Sequence, residues 1–210
     1  MRRDVTLTWD DSGREAETAS DLGHAFLQAA ARRLGLVALT VAGAVTVGVV
    51  LNTVGRSALG WGNFPAPVRL LGQSVLLILS LGMFWLSRSG YDPRRILNLG
   101  LAYQILGAVL VVLPRYVTDQ HLQLNSTHVG WLGVWILIFP LVVPARPAKN
   151  IGASLLAASA APAVFLLYAF AEGRPLPSFR IFVGTFFPYY FCSALGVFPA
   201  LLVYRLGREV

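Results

Sequence analysis

Six stretches of the 210-residue chain are apolar enough to cross a bilayer, at 34–52, 67–87, 94–114, 128–144, 150–171 and 180–204. Each approaches the ~20 residues that a spanning helix needs. No Asp, Glu, Lys, Arg or His lies at the middle of any of them. In hydrocarbon, peptide N–H and C=O groups have no water to bond, so a spanning segment must satisfy them internally, as a helix does. The predicted fold is all-α, an integral membrane bundle of six transmembrane helices. Composition agrees. Charged residues make up 13% of the chain, about half the ~25% of soluble domains, too few to clothe a domain of this size in water.

The chain divides into a cytoplasmic N-terminal segment, 1–33, and a six-span membrane domain, 34–210. The N-terminal segment is polar and mixed in charge, with no apolar core of a cleavable signal. The first span is therefore expected to act as an uncleaved insertion signal. Ser20 and Asp21 can cap a short surface helix that flows into that span. Asp92-Pro93 reads as a cap followed by proline at the first helical position.

The net charge is +7, but the basic residues fall singly or in pairs between apolar runs. They form no patch for nucleic acid; the pattern is a topology signal. Twelve Lys and Arg residues fall in the N-terminal segment, the second and fourth loops and the C-terminal end, against five in the other loops. The excess places both termini in the cytoplasm, as an even number of spans requires. All the basic residues but Lys149 are arginine. With abundant Ala, Gly and Pro, this composition fits a bacterial chain, and the expected location of the spans is the cytoplasmic (inner) membrane.

The candidate site residues are neutral. Gln73, Asn98 and Gln104 lie within spans, where amides usually bond to a neighbouring helix or line a ligand pocket. Pro140, Pro162 and Pro188 are expected to bend their helices. Thr40, Ala44 and Gly48 share one face of the first span, and Ala153, Ala157 and Ala161 one face of the fifth. Both faces are expected to pack within the bundle, with contact to a second copy, a homodimer, as the alternative. Trp131 and Trp135 read as an interfacial belt, and Cys192 as a small buried hydrophobe.

No catalytic set is visible. There is no H-E-x-x-H, C-x-x-C, G-x-x-x-x-G-K-S/T or G-x-S-x-G sequence. Gly60-Trp61-Gly62 begins like a dinucleotide loop, but Pro65 replaces the third glycine. Asp119, His121 and His128 match no metal spacing and read as a solvated loop. No catalytic residue, cofactor or metal is expected, and the sequence offers no basis for an enzyme.

Residues 134–167, VWILIFPLVVPARPAKNIGASLLAASAAPAVFLL, and the closing FPALLVYRLGREV resemble the membrane portion that precedes the kinase domain in a group of bacterial serine/threonine protein kinases. The resemblance implies a non-catalytic membrane anchor and sensor, with the bilayer and a cytoplasmic kinase domain in cis as partners. The chain contains no G-x-G-x-x-G-x-V, V-A-I-K, H-R-D or D-F-G, so no kinase residue carries over. The expectation is that the kinase domain follows Val210. The alternatives are a small stand-alone facilitator or transporter, which would need a polar cavity at mid-membrane, and a lipid-modifying enzyme.

Overall fold

The structure is a computed structural model that describes residues 10–59, 67–118, 130–143 and 147–206. They form six helices: α1 (Asp10–Leu59), α2 (Pro67–Leu86), α3 (Pro93–Thr118), α4 (Trp131–Val142), α5 (Pro147–Ala171) and α6 (Phe179–Leu206). Among the described residues there is no strand. Four segments are long and apolar enough to cross a membrane: Ala25–Leu51, Pro93–Pro114, Ala148–Ala171 and Phe179–Phe198. By length and composition this is an all-helical membrane protein.

The elements differ from the sequence expectation in three places. α1 flows into the first span as expected but begins at Asp10 and runs for 50 residues, so Ser20 and Asp21, the expected cap, lie inside it. Ala30 and Ala31 are buried alongside Leu34 and Ala38, so bundle packing begins ahead of residue 34. α3 continues through Pro114 to Thr118. α4 has only 12 residues where 128–144 was expected to span. At 1.5 Å per residue it is about 18 Å long, short of the ~30 Å hydrocarbon core.

Local chemistry sets the helix ends. The α2–α3 turn reverses at Gly90, whose φ of 72° is in the left-handed region that glycine enters without a Cβ clash. Asp92 then caps α3, its Oδ1 accepting from Arg94 N–H at 3.0 Å, with Pro93 at the first helical position. α5 stops in a Schellman motif. Arg174 N–H donates to Ala169 O, Gly173 N–H to Phe170 O, and Gly173 has φ 64°. Between α4 and α5, the buried Asn150 donates from Nδ2 to Val143 O at 3.0 Å.

Consecutive helices run antiparallel. Gly35 abuts Ser87 and Gly100 abuts Leu34, while Lys149 Nζ reaches Asn98 Oδ1 at 3.3 Å. These contacts bring the Arg32–Gly35 segment, the end of α2 and the starts of α3 and α5 to one end of the bundle. The α4 terminus joins them through Asn150, and α6 runs toward the same end past α4. α3 is the hub, packed on α1, α2, α4 and α5; α6 packs on α4 and α5.

Residue size is sorted in the sense expected for lipid. Ala38, Ala108, Ala157, Ala158 and Ala161 are among the most deeply buried residues, whereas Trp85, Leu167, Phe170 and Phe198 are largely exposed. A water-soluble bundle would expose far less apolar bulk. Large residues that are buried cluster at the α3–α4 contact, where the Tyr103, Trp135 and Phe139 rings lie 4.9–5.7 Å apart between centroids. A second aromatic cluster joins Phe165 of α5 to Phe182 and Phe186 of α6.

Gly107 faces the Trp135 ring so closely that a Cβ would overlap it. An indole wedged between helices cannot withdraw cheaply. We expect Gly107→Ala to destabilise the bundle by about 1–3 kcal/mol, read as a lower unfolding midpoint in detergent. Gly152→Ala, whose Cβ would meet open space, should leave the midpoint unchanged. Equal midpoints would mean that the α3–α4 contact is looser than described.

Candidate functional site

The three candidate amides do not come together. Gln104 is fully buried on α3, and its Nε2 donates to Ser154 Oγ of α5 at 3.3 Å. Its backbone oxygen accepts from Trp135 Nε1 of α4 at 2.8 Å. One residue thus ties three helices. Asn98 is exposed at the basic end, where its Oδ1 accepts from Lys149 Nζ. Gln73 is half-buried on α2, near the opposite end of α3, since its neighbour Gly72 packs on Pro114.

Trp135 departs from the expected interfacial belt. Trp131 is 77% exposed, but Trp135 is only 7% exposed, turned inward to the Gln104 carbonyl. Spacing of one turn put both on one face; the bond to α3 separates their roles. Cys192 is buried as expected.

The remaining interior polar groups are satisfied by each other. Ser80 Oγ donates to Leu76 O at 2.7 Å, so Tyr103 supplies the hydrogen of the 2.7 Å Ser80–Tyr103 bond. Ser159 similarly donates to Leu155 O and lies 3.1 Å from the Tyr190 hydroxyl. Among the described residues no buried side-chain nitrogen or oxygen lacks a partner, and no group of three His, Cys, Asp or Glu residues could hold a metal. Asp119, His121 and His128 lie outside the described residues.

Pro140 and Pro162 are buried, and Pro188 half-buried, within helices that continue past each of them. Pro140 has a specific seat: its Cγ would lie 3.2 Å from a Cβ at Gly196 of α6. Pro114 sits against Gly72 in the same way, at 3.3 Å. In each pair a proline ring fills the notch left by a glycine on the facing helix.

The candidate site that the fold creates is an apolar groove of about 680 Å³ bounded by α1, α2, α3 and α4. α1 and α4 barely meet, and the groove is the gap between them. Its α1 wall carries Thr40, Ala44 and Gly48. The expected helix contact on this small-residue face is therefore absent: Thr40 and Ala44 are exposed, and a Cβ at Gly48 would touch nothing. The matching face of α5 does pack, with Ala153, Ala157 and Ala161 buried. Hydropathy cannot tell which small face acquires a neighbour. The α4 wall is Trp131, Val134, Trp135 and Ile138, and Gln73 is the only amide among the described lining residues. The volume is that of a small-molecule cleft, about 300–1,000 Å³. The groove can hold an apolar chain; among the described residues that line it there is no Asp, Glu, Lys, Arg, His or Cys.

No known protein family, curated protein or solved structure matches this chain.

We expect Ser80→Ala to cost more stability than Tyr103→Phe. Loss of Ser80 leaves a buried tyrosine hydroxyl unpaired, at about 1–3 kcal/mol. Loss of the tyrosine hydroxyl leaves Ser80 bonded to Leu76 O, and an interhelical bond in lipid averages ~0.6 kcal/mol. Unfolding midpoints of the two variants in the same detergent check the order; the reverse order would refute the assigned donor.

Proposed function

We propose that this chain is the non-catalytic membrane anchor and sensor portion of a bacterial serine/threonine protein kinase. In this reading all six helices cross the cytoplasmic membrane, with both termini inside and the kinase domain in cis. α4, short as it is, crosses within a sleeve of α3, α5 and α6, where neighbouring protein rather than lipid surrounds much of it.

The observation that carries the reading is the exit of α6. It runs toward the end of the bundle that also holds Arg32, Arg33, Arg88, Arg94, Arg95 and Lys149. Such a basic layer marks a cytoplasmic face. A domain attached after α6 would hang from this layer.

The packing supplies a route for a signal. α4 forms one wall of the groove through Trp131 and Val134. It also seats α6 through Pro140 and Gly196. An apolar ligand that fits the groove better in one position of α4 than in another would bias the position of α6 by that difference in affinity, and by no more. A facilitator finds less support, since Gln73, Asn98 and Gln104 line no common cavity.

The reading expects the open frame to continue past codon 210 into a Gly-rich loop and V-A-I-K; a stop codon after Val210 overturns it. In the full-length protein in membranes, deleting 1–178 while retaining α6 should change autophosphorylation, and unchanged activity would reduce the bundle to a tether. Solute flux in proteoliposomes that is lost on mutating Gln73, Asn98 or Gln104 would favour the facilitator.

Orientation has its own test. In a Cys192→Ser background, Ser178→Cys should react with an impermeant maleimide in intact spheroplasts, whereas Ser89→Cys should react only after lysis. The opposite pattern would invert the topology.

A further inference from the structure

At the basic end, a second cleft of about 700 Å³ opens between α1 and the α2–α3 turn. Arg32 enters it from α1, and Arg88 from the turn. The Arg88 guanidinium lies over the Phe84 ring, 4.5 Å from its centroid, which holds the side chain along the cleft wall. Neither arginine has a carboxylate partner among the described residues, where the Glu172–Arg174 pair at the other end of the bundle is the only salt bridge. Asp92 also lines the cleft, but its Oδ1 is engaged by the Arg94 N–H. Gly90 also lines the cleft, and a Cβ there would meet open space.

The lower wall is apolar: Leu36, Phe84 and Ile96. Phe84 belongs to the apolar run Leu70–Leu86, and Arg88 lies just beyond that run. The cleft therefore straddles the level at which lipid-facing helix gives way to charged turn. Two guanidiniums above and an apolar wall below match an anionic group joined to a hydrocarbon chain.

We propose that this cleft binds the phosphate headgroup of an anionic phospholipid between Arg32 and Arg88, with the first part of an acyl chain against Leu36 and Ile96. The site is separate from the groove of α4 and independent of any kinase. A basic layer serving only topology would bind anionic lipid equally through any of its arginines. This cleft makes Arg32 and Arg88 different from Arg94 and Arg95, which are in the same layer and outside the lining.

The test is native mass spectrometry of the 210-residue chain, released from micelles containing phosphatidylcholine and phosphatidylglycerol, with and without inorganic phosphate. The wild type should retain phosphatidylglycerol. Arg32→Gln and Arg88→Gln should each weaken retention about fivefold, the equivalent of one basic residue at an anionic surface. Arg94→Gln with Arg95→Gln should leave it unchanged. Arg32→Lys with Arg88→Lys preserves the charge and should retain lipid, so a loss seen only in the Gln variants is not a failure to fold. Equal weakening by both Gln sets would overturn the proposal in favour of diffuse surface charge. Retention of phosphate but not of phosphatidylglycerol would assign the cleft to a soluble anion and overturn the lipid. Retention of neither would overturn the site.

Discussion

Lipid gives two apolar helices no reason to prefer each other over the solvent, because acyl chains are as apolar as leucine. What remains is contact, and contact grows as backbones approach. This bundle is organised around positions small enough to permit it. Ala153, Ala157 and Ala161 are buried on α5, which packs on α3, α4 and α6. Gly107 admits the Trp135 ring, Gly72 admits Pro114 and Gly196 admits Pro140. Where a small face has no such partner, as along Thr40, Ala44 and Gly48, the result is a groove.

Polar groups add direction to this packing. Gln104 bonds to α5 with its side chain and to α4 with its backbone oxygen. Ser80 and Tyr103 fix α2 against α3, and Ser159 and Tyr190 bring α5 to α6. Each bond is modest in lipid, but each is met in one rotational setting of its helices. Dispersion brings the helices together, and the neutral hydrogen bonds select the register.

Much of this was legible in the sequence. Hydropathy located the helices, Asp92-Pro93 marked the start of α3, and the alanine spacing marked the packed face of α5. Hydropathy reports only how well a segment tolerates lipid, so it extended α4 beyond its 12 helical residues and stopped at Pro114, where the backbone continues. Polarity alone distinguishes the three amides in the sequence. The structure distributes them among a buried tie, a surface contact and a groove wall, because their partners come from helices distant in sequence. The groove and the arginine cleft have no sequence signature, since each is made of faces from three or more elements.

The inversion of size, with alanine and glycine inside and leucine and phenylalanine outside, also determines where this protein can tolerate change. A lipid-facing Leu167 or Phe170 can be exchanged for another large aliphatic or aromatic residue with little effect, because a fluid acyl chain conforms to either. A buried Ala157 or Gly107 has no larger substitute that leaves the helix spacing intact. The identity of the fold is therefore carried by its least distinctive residues. Two bundles of this architecture could keep the same interior and still diverge until little recognisable likeness remained between their outer faces.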